Sequence, residues 1–357
     1  MEQKVSFWKR KDIEISFKRY VQDALSAMGL GVFSSLLIGL ILKTLGEQLV
    51  HVPGITEESV IVTFLIEIGG LAMSMMGPAI GVAVAWALKA PPLVLFTCAV
   101  VGQMGATFTG FGISANGGPA GAFIAVCFAA EFGKMVSKET KVDIIVTPAV
   151  CLIVGGLVAK LIGPGLGWLL LKLGASINAA CEWQPFFFGI FIAVVVGMVL
   201  TAPISSAALC IMLDLSGLAA GAATAGCCAQ MLGFAVISFR DNGIGGLIAQ
   251  GIGTSMLQVS NIVKKPIIWL PPTLSAAIVG PISTCLFKMT NNAAGAGMGT
   301  SGLVGQIMTL PDMGFSGGVL FKILIVQIIL PALFAYLTYE VMRRAGIIKD
   351  GDLKLDL

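Results

Sequence analysis

The chain has very few charged residues. Only 11% of its 357 residues are charged, and its mean hydropathy is +0.95. Soluble domains carry about 25% charged residues, so this composition excludes an ordinary soluble protein and indicates a polytopic membrane protein. The net charge of +3 is too small to indicate a nucleic-acid partner.

The sequence also lacks the usual signatures of a catalytic or cofactor site. His51 is the single histidine, and a lone loop histidine gives little basis for a phosphoryl-accepting or proton-relay role. The eight cysteines show no CxxC spacing, which argues against a metal or redox centre. There is no P-loop, and the glycines of residues 295–302 follow no strand. We therefore expect no cofactor, no metal and no self-contained catalytic site.

Long apolar segments are abundant, and a span needs about 20 apolar residues. We expect about ten transmembrane helices, at residues 21–45, 60–88, 92–112, 118–136, 143–173, 185–210, 216–238, 244–262, 267–289 and 316–342. Segment 244–262 is the most polar, and 143–173 is interrupted at residues 163–165. Lysine and arginine concentrate in alternate connections, which predicts both termini on the cytoplasmic side.

The two ends of the chain differ from the apolar middle. Residues 1–20 are basic with interspersed aromatic side chains, which favours an amphipathic cytoplasmic segment lying on the membrane; a disordered basic tail is the alternative. Residues 21–343 form the predicted transmembrane domain, and residues 344–357 a cytoplasmic tail.

The middle of the chain contains an internal similarity. Residues 136–148 align with residues 259–271 with six identities in thirteen positions. Further matches at similar offsets predict two copies, about 60–170 and 185–290. Four spans in each copy require parallel rather than inverted repeats. The alternative is coincidence between Gly- and Ala-rich helices.

Residues 290–312 stand outside both copies and are rich in glycine. They are apolar enough to enter a membrane but too Gly-rich for a stable spanning helix. Irregular backbone survives in a bilayer only where protein or a wet cavity surrounds it. We expect a re-entrant segment here, with an external loop as the alternative.

Asparagines beside glycines recur at predicted outer ends of spans. They are Asn116 with Gly117, Asn242 with Gly243, and the pair Asn291 and Asn292. Asparagine offers two donors and an acceptor, and glycine lets backbone groups approach a ligand closely. These residues are therefore candidate contacts for a neutral polar solute, although Asn-Gly also favours plain turns.

Polar side chains inside predicted spans are functional candidates by default. Glu67 has no partner nearby in the sequence and is a candidate carboxylate facing the interior. Asp241 is a candidate ligand or a partner of Arg240, and Glu131 is expected to pair with Lys134. Gln103 and Gln230 occupy matching positions of the two copies, where they either join helices or face a substrate. Lys322 is a further intramembrane charge.

Three stretches resemble a known family. Residues 201–208, 233–243 and 291–306 are similar to the bacterial phosphotransferase-system enzyme IIC family, in the branch that includes perfringolysin-type regulators. The resemblance covers nearly the whole chain. It implies a multi-pass protein of the bacterial cytoplasmic membrane, commonly a homodimer, that binds a sugar and presents it to a phosphorylated IIB partner.

The sequence departs from the glucose-type members of that family. Those use a histidine and a Gly-Ile-Thr-Glu glutamate in the C-terminal half, whereas here the motif occurs at residues 54–57 and no histidine follows His51. That site is therefore not carried over. Since no IIA or IIB domain is attached, the resemblance implies separate soluble IIA and IIB phosphocarriers.

Three functions remain open from the sequence. The first is an IIC-like permease for a sugar or similar small polar solute. The second, motivated by Glu67, is an ion-coupled secondary transporter of another solute. The third is a membrane-embedded sensor or regulator that binds a ligand without transport.

Overall fold

The computed structural model describes residues 7–50, 56–110, 113–202 and 204–355. His51 and the start of the 54–57 motif lie outside the described residues, as do Pro203, the first six residues of the predicted N-terminal segment and the last two of the tail. The chain divides into two compact units, one up to Leu171 and one from Lys172 onward.

In the part of the first unit that the structure describes, all regular elements are helices except one small hairpin. Its elements are α1 (Phe7–Arg10), α2 (Lys18–Leu49), α3 (Val60–Ser74), α4 (Met76–Ala87), α5 (Pro92–Thr107), β1 (Thr109–Gly110), β2 (Ile113–Asn116), α6 (Gly118–Val136) and α7 (Asp143–Leu161). Strands β1 and β2 pair antiparallel. The next helix, α8 (Gly163–Trp183), begins in this unit and ends in the second.

Small residues let the helices of the first unit approach closely. A Cβ added to Gly102 would contact the backbone of Gly77 and lie 2.9 Å from the Cα of Gly81. Gly39 and Gly69 face each other in the same way, since a Cβ added to either would lie 2.6 Å from the other's carbonyl oxygen. Close packing of this kind replaces the hydrophobic effect as the force that joins helices in lipid.

The second unit contains shorter and more irregular elements. They are α9 (Pro185–Thr201), α10 (Ser206–Met212), α11 (Gly217–Ile237), α12 (Phe239–Ile248), α13 (Val259–Lys264), α14 (Pro266–Leu286), α15 (Ala293–Ala296), α16 (Val304–Met313) and α17 (Gly317–Arg344). A π-helical turn, Ala249–Gly253, and two 3₁₀ turns, Ser255–Gln258 and Ser301–Leu303, lie between them.

Helix α11 forms the centre of the second unit. Almost all of its side chains are buried, and α9, α14 and α17 pack around it. Gly226 lies directly against the backbone of Ala193 in α9, and Gly233 packs against Pro272 and Ala335. Ser283 Oγ at the far end of α14 donates to Gly221 O at 3.3 Å, so α14 runs antiparallel to α11.

The all-α polytopic membrane fold expected from the sequence is confirmed. Among the described residues, six helices are long and apolar enough to cross a membrane, or seven if the pair α3 and α4, bent by 51° at Met75, counts as one. Helices α5 and α9 are apolar but shorter.

Besides 60–88, which bends at Met75, three predicted spans are not continuous helices. Segment 143–173 breaks at Ile162, where Gly163 and Pro164 begin a new helix. Segment 185–210 breaks after Thr201. The prediction of one spanning helix at 244–262 is wrong, because the chain turns at Thr254. The polar side chains of this segment are buried inside the unit.

Candidate functional site

The chain of the second unit is first interrupted between α9 and α10. Helix α9 ends at Thr201, whose Oγ1 donates to Gln230 Oε1 at 3.2 Å and lies 2.8 Å from Ser255 Oγ. Helix α10 begins at Ser206, whose Oγ donates to Gly297 O at 2.6 Å. The hydroxyls on both sides of this break therefore bond to segments much later in the sequence.

The second interruption is residues 239–264, called here the polar hairpin. The backbone becomes extended at Thr254 and turns back. Gln258 Nε2 on the returning arm donates to Gln250 Oε1 on the outgoing arm at 2.9 Å. Gln250 Nε2 in turn donates to Ser238 Oγ at 2.7 Å. All three side chains are fully buried, so the hairpin is held together by satisfied amides.

The third interruption is residues 290–313, called here the Gly-rich hairpin. Its arms are joined by Asn291, whose Nδ2 lies 3.0 Å from Gly305 O and 3.2 Å from Thr309 Oγ1. The same amide contacts Thr224 Oγ1 of α11 at 2.8 Å. The tip of the hairpin turns through left-handed backbone at Gly302, a conformation that glycine adopts without a steric cost.

The tips of the two hairpins meet. Thr300 Oγ1 donates to Gly251 O at 2.5 Å, and Ser301 Oγ donates to Gly253 O at 3.0 Å. Together with the first interruption they form one group of residues, called here the break cluster. Its members are Thr201, Ser206, Gly251, Gly253, Ser255, Gly297, Thr300 and Ser301.

The break cluster offers hydroxyls and backbone carbonyls but no ionisable side chain. Thr201, Ser206, Ser255 and Thr300 are buried. Interrupted helices leave backbone N–H and C=O groups without intrahelical partners, and such groups are tolerated at membrane depth only around protein or a wet cavity. The chemistry suits a neutral, hydroxyl-rich ligand rather than an ion.

One buried acceptor near the cluster has no partner. Gln306 lies in the first turn of α16, just after the tip of the Gly-rich hairpin, and its Oε1 makes no hydrogen bond. Its Nε2 donates to Cys228 Sγ at 3.3 Å. Since buried polar atoms are nearly always paired, this oxygen is available to a donor from a ligand. Among the described residues no group of side chains could hold a metal ion.

The structure places the predicted residues of the second unit in three different settings. Gln230 touches the break cluster, and its amide also accepts from Trp269 Nε1 at 3.0 Å and donates to Thr273 at 3.2 Å, so it joins helices. Asn291 and Asn292 lie at the base of the Gly-rich hairpin, where Asn292 Oδ1 caps α15. Their contacts with a solute stay predictions.

Asp241 and Asn242 bind the chain's own tail. Asp241 accepts from the N–H groups of Gly351 at 3.0 Å and Leu353 at 3.2 Å. Asn242 donates to Leu353 O and accepts from Leu355 N, both at 2.8 Å. The expected pair of Asp241 with Arg240 is therefore not formed, and Gly243 next to them kinks α12 with a φ of 59°.

Further side chains complete this contact with residues 349–355, called here the tail strap. Gln258 and Asn261 donate to Leu353 O and Lys354 O, both at 2.9 Å, and Lys265 Nζ lies 2.5 Å from Asp352 Oδ2. Burial alone would raise the pKa of Asp352, but hydrogen bonds from Lys265 and the Lys349 N–H hold that pKa below its usual value. Asp352 of the strap is thus ionised at neutral pH.

The strap corrects one expectation. The sequence was interpreted with Asn242 at an outer end of a span and the tail in the cytoplasm. Because Asn242 bonds directly to residues 353 and 355, the two lie at the same end of the second unit. The physical reason is that residues 244–262 turn back at Thr254 instead of forming one spanning helix, so they do not separate Asn242 from the tail.

The candidate site residues of the first unit lie further apart from each other than those of the second unit. Asn116 ends β2 and is exposed, and the adjacent Gly117 precedes α6 and accepts from Gly121 N at 2.7 Å. The amide oxygen of Gln103 lies against Gly77, within 2.6 Å of where a Cβ would stand. Only Asn116 and Gly117 are brought together.

Two predicted charges of the first unit have opposite environments. Glu67 lies on an exposed face of α3 and has no hydrogen bond or ion pair with the described residues, so it does not face the interior of its unit. The expected pair of Glu131 and Lys134 is confirmed, with Lys134 Nζ 2.7 Å from Glu131 Oε2. Lys322 of the second unit donates to Phe287 O at 3.2 Å.

Sequence reasoning missed most of the break cluster, as well as Gln306. The cluster consists largely of common hydroxyl residues, namely Thr201, Ser206, Ser255 and Thr300. What distinguishes them is hydrogen bonding to partners far away in the sequence. A usable signal was present in the polarity of segment 244–262 and in the proline after Ala202. Both mark places where a continuous helix is disfavoured.

Comparison with models of known families gives a match. The family model described as "Phosphotransferase system, EIIC" matches residues 22–355. No curated protein matches the chain.

Proposed function

This chain belongs to the phosphotransferase system EIIC family and is a membrane permease component of that system, and from this premise we propose that it binds a sugar or similar small polar solute and translocates it for phosphorylation by separate IIA and IIB proteins. The solute would bind at the break cluster of the second unit.

The observation that carries this proposal is the meeting of three helix interruptions around neutral polar groups. A sugar is uncharged and rich in hydroxyls, and each hydroxyl can both donate and accept. Threonine and serine hydroxyls, backbone carbonyls and the unpaired Gln306 Oε1 match that requirement. The absence of an ionisable group within the cluster favours a sugar over a charged metabolite.

The two hairpin tips supply a means of opening the site. They are joined by two side-chain bonds, Thr300 to Gly251 and Ser301 to Gly253. Each such bond contributes only about 1 kcal/mol net, so ligand hydroxyls can replace them at small cost. We expect bound sugar to separate the tips, with the Gly-rich hairpin entering the membrane as a re-entrant segment.

The end that carries the tail strap is proposed as the cytoplasmic end. Lys265, Arg343 and Arg344 lie there, and cytoplasmic ends are enriched in such residues. A phosphorylated IIB protein would reach the sugar from this side. The parallel repeat (60–170 and 185–290) and a homodimer stay predictions, which crosslinking of introduced cysteines and mass measurement in detergent would check.

Uptake of labelled sugars tests the function. Membrane vesicles that contain the protein are supplied with phosphoenolpyruvate and the soluble phosphocarriers, after sugars have been screened by thermal stabilisation of the purified chain. A ligand at 100 times its dissociation constant adds about 2.7 kcal/mol of stability, which a melting shift detects. We expect accumulation of sugar phosphate. Uptake driven by an ion gradient without phosphoenolpyruvate, or binding without accumulation, would contradict the proposal.

Matched variants test the site. Thr300→Val and Ser301→Ala remove cluster hydroxyls, whereas Thr338→Val and Ser176→Ala remove hydroxyls that bond only within their own helices. One lost hydrogen bond of about 1.4 kcal/mol corresponds to a tenfold change in affinity. We expect the cluster variants to weaken sugar binding about tenfold and the controls to leave it unchanged. Equal effects in both pairs would place the site elsewhere.

A further inference from the structure

A strongly basic cavity lies in the first unit, and no residue of the break cluster lines it. It has a volume of about 380 Å³ and is formed where the N-terminal segment meets the ends of α4 and α6. Five cations line it: Arg10, Lys11, Lys89, Lys134 and Lys138. Nothing in the proposed transport function uses these side chains.

The floor of the cavity is rigidly built. Lys134 is 2% exposed, and its Nζ donates to Asp12 O and Leu88 O, each at 3.0 Å, besides its contact with Glu131. Arg19 donates to Leu88 O as well, at 2.8 Å. These bonds fix the N-terminal segment against the ends of two helices, so the cavity is preorganised.

The rim differs from the floor because two of its cations are not engaged. The side chains of Lys89 and Lys138 are exposed and have no hydrogen bond or ion pair with the described residues. They follow α4 and α6, with φ of 56° and 62°. An ammonium group without a protein partner is free to bind an anion.

The two carboxylates of the lining do not neutralise the cavity. Asp12 is paired with Arg19 at 2.9 Å, and Glu139 with Arg10 at 2.8 Å and with Lys11. These hydrogen bonds hold the pKa of both carboxyls below their usual values, so both are ionised at neutral pH. Five positive and two negative side chains leave an excess of three positive charges, or two when Glu131 behind Lys134 is counted.

We propose that this cavity is a binding site for the phosphate of an anionic phospholipid headgroup. The neighbouring α1 supports a lipid rather than a soluble anion, because Phe7 and Trp8 are 42% and 50% exposed beside the cavity. Exposed aromatic rings and basic residues together are typical of the membrane–water interface. Basic pockets at the cytoplasmic ends of spans are known to bind anionic headgroups.

Lipid titration of the full-length protein tests the site. The purified chain in neutral detergent is titrated with phosphatidylglycerol, with phosphatidylcholine and with inorganic phosphate, and the melting temperature is measured. The double variant Lys89→Gln and Lys138→Gln removes the two unpartnered rim charges. The control, Lys141→Gln and Lys349→Gln, removes the same charge from exposed positions outside the cavity.

We expect phosphatidylglycerol to stabilise the native chain saturably. The apparent affinity for this lipid should be at least tenfold weaker in the rim variant and within twofold of native in the control. Native mass spectrometry should show fewer retained anionic lipids on the rim variant alone. Equal stabilisation of all three proteins, or an equal effect of phosphatidylcholine, would overturn the proposal. Equal saturation by inorganic phosphate would overturn the assignment to a lipid. This test does not depend on the proposed sugar transport, because the melting temperature is measured without sugar.

Discussion

The side-chain amide of Gln230 illustrates how single polar residues organise the second unit. It is fully buried in α11 and bonds to Thr201 at the end of α9 and to Trp269 and Thr273 at the start of α14. Of the two roles that the sequence left open for it, the joining of helices is the one its contacts show. Its contact with Thr201 also connects it to the break cluster.

Replacement of Gln230 by leucine should be clearly destabilising. Gln230→Leu keeps the size of the side chain but leaves Trp269 Nε1 and the Thr201 hydroxyl without this partner. The loss of several part-buried hydrogen bonds should lower the free energy of unfolding by about 1–3 kcal/mol, measured by denaturant titration in detergent. Gln184→Leu, at an exposed position, is the control. Equal stability of the two variants would contradict this account of Gln230.

At the scale of elements, the polar hairpin and the tail strap depend on each other. The hairpin's own bonds, such as that between Gln258 and Gln250, are buried, and its outer face is covered by residues 349–355. The strap contains no helix or strand. It is fixed by side chains of the hairpin, by Lys265 and by the burial of Leu353 among apolar side chains of α11, α14 and α17. Loosening either element should therefore expose the other.

Acid should release the strap through Asp352. Its pKa is lowered in the folded protein, so the stabilisation is present above the unfolded value of about 3.9 and is lost as the pH falls through the folded pKa. Hydrogen exchange at Gly351, Leu353 and Leu355, with labelling times scaled to equal intrinsic rates, should stay constant from pH 7 to about 5. It should rise below about pH 4.

The variant Asp352→Asn separates this effect from general acid unfolding. Without the carboxylate, the Lys265 contact is weakened at every pH, so exchange in the strap should already be faster at pH 7. Amides in the middle of α11 serve as the internal control, because they are buried and remote from the strap. Identical exchange profiles for native chain and variant would show that the Lys265–Asp352 pair does not hold the strap.

The element scale also shows what the sequence could and could not predict. Long apolar helices such as α2 and α17 follow from composition alone, since lipid requires every backbone group to be bonded within the helix. The structure of segment 244–262 does not follow from composition. Gln250 and Gln258 are tolerated in the membrane only because they hydrogen-bond to each other, to Ser238 and to the strap. Such partners are separated by up to 95 residues.

For the whole molecule, the family and the fold could be predicted from the sequence, whereas the break cluster proposed as the site could not. The motif at residues 291–306 pointed to enzyme IIC, and the family match over residues 22–355 confirms it. Asn-Gly pairs are conspicuous in a sequence, and they predicted the candidate asparagines. The structure instead gives Asn242 a role in holding the strap and gathers common hydroxyl residues at the helix breaks.

Thiol accessibility provides a check on the whole molecule. All eight cysteines are free, and seven of them are buried, whereas Cys285 is exposed. N-ethylmaleimide should therefore add one adduct per native chain in detergent and eight after denaturation, as counted by intact mass. The variant Cys285→Ser should reduce the native count to zero. Rapid modification of Cys227 or Cys228 in the native protein would show that the packing around α11 is wrong.

The tail strap has a consequence for biosynthesis. Its residues lie 87 to 113 positions after the side chains that hold them. At about 5–20 residues per second, translation leaves roughly 5–20 s between the two. During that interval Asp241, Asn242 and Gln258 have no strap to bond, while α14 and α17 are still being made. The second unit can reach its final arrangement only after synthesis has passed residue 355, so its last helix inserts next to an unfinished polar hairpin.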